Sequence, residues 1–466
     1  MRIVLAGFNV DLDGFLQREF LLTPETFAAA YARISRSPKS IPQLRAVARE
    51  EINKARAQNR RIIYEMGHHS IAEHCVFNFD IMGISRRAVE DLQSHRLVSY
   101  TEASQRYIKW NPNYVVPLEL KRTDLEKLYK ETIKKQIQAY QTIAEKLKIF
   151  ETKYAKPIED ARYVTSLGMA TQLGMTINAR NLELMIRRFA AANLLELQRL
   201  GKRLYNLAVS VAPSVILFVE RTDFDSKTYP ALKNYKQINR EKLSNGSTCK
   251  LIDCTENGDD KLITALLHKI SSDSYQTVIK QVKKMPQAKK LAIIKTVFQH
   301  AQLYDAVLRE FEHIYLTYEL IVSAACFAQL KRHRMATITT QDYDPNLGVT
   351  IPDNIIQAKL LNLFNEIRDR TEKAYDKIYK KMPQIAPYIL TQAHRRRVLL
   401  TTNLRELYHI ARLRMDQTAQ WDIRELVSEM VKQAKTKLPL SSLFCSGKDQ
   451  YQEIYDKYFY KSKVEE

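Results

Sequence analysis

The strongest constraint on the fold is that the sequence carries one plan twice. Residues 72–107 (AEHCVFNFDIMGISRRAVEDLQSHRLVSYTEASQRY) and 311–345 (FEHIYLTYELIVSAACFAQLKRHRMATITTQDYDP) both open on Glu-His. Each then alternates apolar and polar residues, turns helical and reaches a His-Arg pair. A long segment with helical spacing follows each block, 123–149 and 353–380, in which Leu125, Leu128, Ile133 and Ile137, or Leu360, Leu363, Phe364 and Ile367, recur at three- and four-residue steps. Thr123 to Glu126 has the form of a capping box. Both copies then close alike, ARYVTSLGMATQLGMTINARNLEL at 161–184 and APYILTQAHRRRVLLTTNLREL at 386–407, running into Thr-x-Asn-x-Arg. Two copies in the same order make the chain a tandem duplication.

The expected domains are an N-terminal copy over 1–222, a linker over 223–260 rich in Lys, Asn, Ser, Gly and Asp, and a C-terminal copy over 261–466. Strand-like runs such as 76–81 and 315–321 are few beside the helical segments. The fold class is therefore α+β, dominated by helices.

Of the 466 residues, 73 are Lys or Arg and 52 Asp or Glu, a net charge of +21, which favours phosphate-bearing partners. Much of the excess lies in helical segments where Lys faces water, so nucleic acid is the lesser expectation. The longest apolar stretch, 209–219, is interrupted by Pro213 and is too short to cross a bilayer. The N-terminal segment lacks the pattern of an export signal, and five cysteines without a CxxC pair read as reduced thiols. The expectation is a cytoplasmic protein with no metal site, in which Cys249 and Cys254 are exposed free thiols.

Four clusters carry candidate chemistry. In 67–74, Gly67-His68-His69-Ser70 leads to Glu73-His74, which suits metal ligation, base catalysis, hydrogen bonding to a ring, or a structural role; the zinc spacing His-Glu-x-x-His is absent. In 93–107, two arginines, a histidine, short hydroxyls and Glu102 crowd together, which suits a nucleotide. The others are Arg332-His333-Arg334 and the run from Asn403 through Arg405, His409, Arg412 and Arg414 to Gln420-Trp421-Asp422.

The order GHHSxxEH, QxHRxxSxxExSxRY, ARY, NxR and AQWxIREL resembles the flavin-dependent thymidylate synthase family. The resemblance covers nearly the whole chain outside the linker, once per copy. It implies a homotetrameric α+β enzyme that binds FAD and dUMP where subunits meet. Such an enzyme transfers a methylene group from methylenetetrahydrofolate to C5 of dUMP, with NADPH as reductant and no cysteine nucleophile. A duplicated chain would then form a homodimer that imitates the tetramer.

Carried over by position, Gln93, Glu102, Ser104, Arg106 and Arg162 match the family's dUMP-binding residues. Arg332, His333, Arg334, Asn403, Arg405 and His409 match flavin contacts, and His68 and Ser70 complete that set. Arg414 matches the arginine that polarises the uracil ring. Each copy also departs from the pattern. Ser94 and Thr101 replace an arginine and an asparagine in the first. In the second, Thr340, Asp342, Asp344 and Pro387 stand where glutamate, serine and two arginines belong. Phe189 of the first copy stands opposite Arg414, unless a one-residue gap brings Arg188 there. The expectation is one composite site that joins the first copy's clamp to the second copy's flavin and activating residues. The alternatives are hydroxymethylation or methylation of another uracil nucleotide or of nucleic acid, and a non-catalytic flavin or nucleotide binder.

Overall fold

The computed structural model describes residues 1–17, 21–108, 112–152, 156–235 and 248–460. Among the described residues, eight strands form two four-stranded antiparallel sheets. The first contains β1 (Arg2–Phe8), β2 (Val76–Ser85), β3 (Ser99–Glu102) and β4 (Ala170–Asn178) in the order β1-β2-β4-β3. The second contains β5 (Cys249–Cys254), β6 (Tyr315–Ser323), β7 (Thr337–Thr340) and β8 (Arg395–Asn403) in the order β5-β6-β8-β7. Alternation decides which face is buried: Phe77, Phe79 and Ile81 point inward from β2, and Leu316, Tyr318 and Leu320 from β6. The α+β, helix-dominated class read from the sequence is the one observed.

The pairing registers match position by position. β2 pairs with β4 from Val76↔Asn178 to Ser85↔Ala170, and β6 with β8 from Tyr315↔Asn403 to Ser323↔Arg395. β2 is one residue longer because Gly83, at φ +71°, makes a bulge between Met82 and Ile84. Each sheet belongs to one compact unit. The first comprises Met1–Tyr140, Thr165–Glu241 and Asn365–Leu390, and the second Gln141–Val164, Lys242–Phe364 and Thr391–Glu466. The copies therefore exchange segments: residues 141–164 of the first copy lie in the unit that holds the second copy's sheet, and residues 365–390 of the second copy in the unit that holds the first copy's sheet.

Three local expectations change. The first long helix runs Asp124–Lys146 and tightens into a 3₁₀ turn over Leu147–Phe150. Its start is not a reciprocal capping box, because the Thr123 hydroxyl donates to Leu120 O while the Glu126 carboxylate accepts from Arg122 N. The second long helix is two, Asp353–Gln357 and Leu361–Tyr379. Lys359 takes a left-handed φ of 57°, with bonds from Lys359 N to Ile356 O and from Leu360 N to Ile355 O that close a Schellman stop and bury Leu360. Helical periodicity continues across such a stop, so spacing alone did not expose it.

The linker expectation falls partly on 236–247, outside the described residues. Its flanks are regular: Asp223–Leu232 is a helix capped by the Thr222 side chain, and 249–254 is β5. Cys249 is consequently a buried thiol paired in register with Leu320, not an exposed one, and Cys254 is half-buried. Among the described residues, no helix is long and apolar enough to cross a membrane. None of them form a group of three or more His, Cys, Asp or Glu able to hold a metal ion.

Candidate functional site

The second unit brings residues of both copies to one buried network. Ser323, at the end of β6, caps the helix Ala324–Leu330 by accepting from Cys326 N, and donates its hydroxyl to Asp422 at 2.6 Å. Tyr163, from the first copy's ARY, donates to the same carboxylate oxygen at 2.8 Å and accepts from Gln420 Nε2 at 2.8 Å. Its ring stacks on Trp421 at 5.6 Å, and the Trp421 indole donates to Asp160 at 2.8 Å. Burial pushes the Asp422 carboxyl up, opposed by the bonds from Ser323 and Tyr163 and by the charges of Arg395 and Arg162. Burial likewise raises Asp160, against bonds from Trp421 and Asn354.

Arg162 is 5% exposed and donates through Nε to Glu159 O. Arg414, near the end of the helix Leu404–Arg414, donates through Nε to His333 Nε2 at 2.9 Å and through Nη2 to Gln329 O at 3.5 Å. Burial pushes the Cys326 thiol up, and the charges of Arg162 and Arg414 oppose that rise. Arg162 of the first copy and Arg414 of the second lie in the same unit.

The first unit keeps the same framework without counterparts of Arg162, Arg395 and Arg414, although the Arg87 charge acts on its Tyr388. Ser85 caps the helix Arg86–Leu92 and donates to Glu196 at 2.7 Å, and Tyr388 of the second copy donates to that carboxylate at 2.8 Å. By register, Pro387 stands where the second unit has Arg162, and Ala170 where it has Arg395. Counting from the capping residues Asn178 and Asn403, Phe189 stands where it has Arg414, with no gap needed. The Phe189 ring meets His95 edge-on at 5.5 Å. Burial, with the Arg188 charge, depresses His95 to about 4.

The remaining clamp residues lie in the first unit around β3. The Glu102 side chain, 2% exposed, forms an ion pair with Arg86 and accepts from Gln93 Nε2 at 3.2 Å. Ser104 Oγ accepts from Arg106 N at 3.2 Å in the turn that follows, and the Arg106 guanidinium lies 5.3 Å from the Tyr107 ring centroid. Ser104 and Gln105 line a cleft of about 740 Å³ whose rim carries Lys121, Arg199 and Arg203. In the second unit this face is rebuilt. Thr340 replaces Glu102, and Arg396 turns inward over the Phe327 and Tyr343 rings at 5.0 and 4.4 Å, donating to Thr340 Oγ1 and Gln341 O.

The residues expected to hold flavin divide. Arg332 and Arg334 are exposed, whereas His333 between them is 3% exposed. Asn403 caps its helix by accepting from Glu406 N. Arg405 donates to Val307 O at 2.7 Å and to Glu312 at 2.9 Å, the counterpart of the Arg180–Glu73 pair in the first unit. The repeated Glu-His and Asn-x-Arg elements therefore meet in each unit. Arg405, His409 and Arg412 line a cleft of about 540 Å³ over the aromatic residues Phe298, Tyr408 and Phe444. His68 and Ser70 are exposed in the first unit.

Residue-by-residue reading of the sequence did not single out Tyr163, Ser323 or Arg395, and it placed Glu406 and Asp422 inside a candidate cluster without naming their partners. A signal existed for three of them. Tyr163 and Tyr388 hold the same place in ARY and APY, Ser85 and Ser323 the same place at the strand ends, and Asp422 lies inside AQWxIREL. What they bond to depended on the exchange of segments.

The family model for thymidylate synthase complementing protein matches residues 19–214 and again 250–440. A flavin-dependent thymidylate synthase of Clostridium tetani is 30% identical over 215 residues, 43% of this chain and 84% of that protein. A UPF0159 protein of Thermoplasma acidophilum is 23% identical over 473 residues, 88% of this chain and 93% of its own length, so the likeness runs through both copies. The crystal structure of the flavin-dependent thymidylate synthase from Helicobacter pylori complexed with FAD and dUMP matches 47% of this chain and 100% of that one, at 22% identity and a TM-score of 0.31. With the family's pattern matched over most of its length and in both halves, the chain belongs to the flavin-dependent thymidylate synthase family, a family of enzymes, and carries its fold twice in tandem.

Proposed function

We propose that the chain converts dUMP to dTMP with FAD, methylenetetrahydrofolate and NADPH, at a site to which the two copies contribute different residues. The observation that carries this reading is that Arg162 from the first copy and Arg414 from the second lie in one unit, where Tyr163 and Ser323 join the two copies through Asp422. Arg162 of the second unit would hold the phosphate, and Gln93, Glu102, Ser104 and Arg106, which lie in the first unit, are assigned to nucleotide binding by their match to the family pattern alone. Arg414 would stabilise the negative charge that spreads over the uracil carbonyls as C5 becomes nucleophilic. A fixed guanidinium among buried groups does this better than one in water, because it need not reorganise during the reaction.

The donor set of the second unit fits an anionic aromatic cofactor. Arg405, His409 and Arg412 stand over an aromatic floor in the 540 Å³ cleft, and Arg332 and Arg334 are exposed on either side of His333, whose ring lies 6.0 Å from that of His409. We assign FAD to these residues, whereas His68 and Ser70, which lie in the first unit, keep only their match to the family pattern; when bound, the flavin supplies the redox chemistry of the transfer. Two chains together would offer four copies, the number in a tetramer of single-copy subunits, and the cytoplasm is the proposed location.

The test is direct. Purified protein incubated with dUMP, FAD, methylenetetrahydrofolate and NADPH should form dTMP detectable by chromatography. Omission of any one component should abolish product. Absence of dTMP under these conditions overturns the proposed reaction.

A further inference from the structure

Arg414 reaches its position at a helix end, where a long side chain has several rotamers within similar energy. Of the neighbours that restrain it, Gln329 O lies at 3.5 Å and His333 is nearer. Arg414 Nε donates to His333 Nε2 at 2.9 Å, so that nitrogen must be unprotonated and the imidazole proton must sit on Nδ1. Nδ1 faces Glu406 Oε1 at 3.6 Å, too long for a good hydrogen bond but close enough for the carboxylate charge to favour a proton there. His333 itself is 3% exposed and cannot present its ring broadly to a cofactor.

We infer that His333 and Glu406 are positioning residues, which lock the direction of the Arg414 guanidinium before a uracil nucleotide arrives. The inference rests on the proposed function for its substrate. Burial and the neighbouring Arg414 and His409 charges hold His333 below the usual histidine range, and Glu406 pulls it up, so the acceptor form is the one present near neutrality. The first unit lacks this chain of groups: Asn181 and Phe189 take the places of Glu406 and Arg414 around His95.

The experiment is a double-mutant cycle on the full chain with H333F, R414A and the pair, beside H333Q and E406Q. H333F should lower kcat by ~100-fold with little change in KM for dUMP. The double variant should fall no further than R414A, and H333Q, which keeps an acceptor, should recover to within roughly tenfold of the parent. E406Q should move the acid limb of kcat to lower pH, since it removes the group that raises the histidine. Additive losses, or an H333F enzyme as active as the parent, overturn the inference. If the parent forms no dTMP, the proposed reaction falls instead. The pairing is then decided by ¹⁵N spectra of the histidines near pH 7: a His333 Nε2 without a proton supports it, and a protonated Nε2 overturns it.

Discussion

The two units differ least where they hold themselves together and most where they would meet a ligand. Each has a strand-end serine and a tyrosine from the exchanged segment bonded to one acid: Ser323, Tyr163 and Asp422 in the second unit, Ser85, Tyr388 and Glu196 in the first. Each also pairs the acid of Glu-His with the arginine of Asn-x-Arg. Yet Arg162, Arg395 and Arg414 are answered by Pro387, Ala170 and Phe189. The difference has a physical basis. A buried tyrosine or acid that loses its partner costs about 1–3 kcal/mol, so the bracket is held by stability alone. A buried guanidinium carries a desolvation cost that only a counter-charge or an anionic ligand offsets, so where no ligand binds, an apolar residue is the more stable choice.

This contrast can be broken most severely at Arg414. Arg414→Ala should lower kcat for dTMP formation on the order of 10²–10³-fold, the usual loss on removing one preorganised charge-stabilising donor, whereas Phe189→Leu should leave kcat unchanged. Equal losses from both would mean that the first unit also works.

Next in size is a pH effect that belongs to the first unit's apolar substitution. His95 titrates near 4 in the folded chain against an ordinary value of 6.5, so between these pH values the unfolded chain binds the extra proton. Stability should therefore decline as pH falls through that window, by about 3 kcal/mol in total, and be fully present above it. Denaturant unfolding of parent and His95→Phe at pH 7.5 and 5 should show the parent losing more; identical losses would remove His95 from the account.

Arg162→Ala should weaken dUMP binding about 10- to 100-fold, the range for a charge-assisted bond, while Pro387→Ala leaves it as it was; titration calorimetry reads both. The smallest effect concerns the shared framework. Arg180→Ala breaks an exposed pair with Glu73 and should shift stability by about 0–1 kcal/mol, against a larger loss for Arg405→Ala, whose guanidinium also holds Val307 O. Equal values would show that the two pairs do the same job.

The sequence made the duplication, the fold class and both β2-like and β6-like strands legible, because alternation and repeated motifs are local signals. It also assigned Arg162 and Arg414 to one composite site, which the structure places in the same unit. What escaped was everything that depended on the chain exchanging segments. Tyr163 lies in the first copy's sequence but bonds to Asp422, 259 positions away, and no periodicity reports such a contact. The break at Lys359 escaped for the opposite reason, being too local: one left-handed residue stops a helix without disturbing its apolar spacing. His333 matched a flavin-contacting triplet by position, and only its burial and its bond to Arg414 distinguish it from Arg332 and Arg334.

The measurement that bears most directly on a single composite site is the number of dUMP and FAD molecules bound per chain at saturation, read by calorimetry and flavin absorbance on the purified protein. One of each per chain is the predicted result, since only the second unit holds Arg162 and Arg414. Two of each would contradict it, by showing that a unit with Pro387 and Phe189 in those places still builds a site.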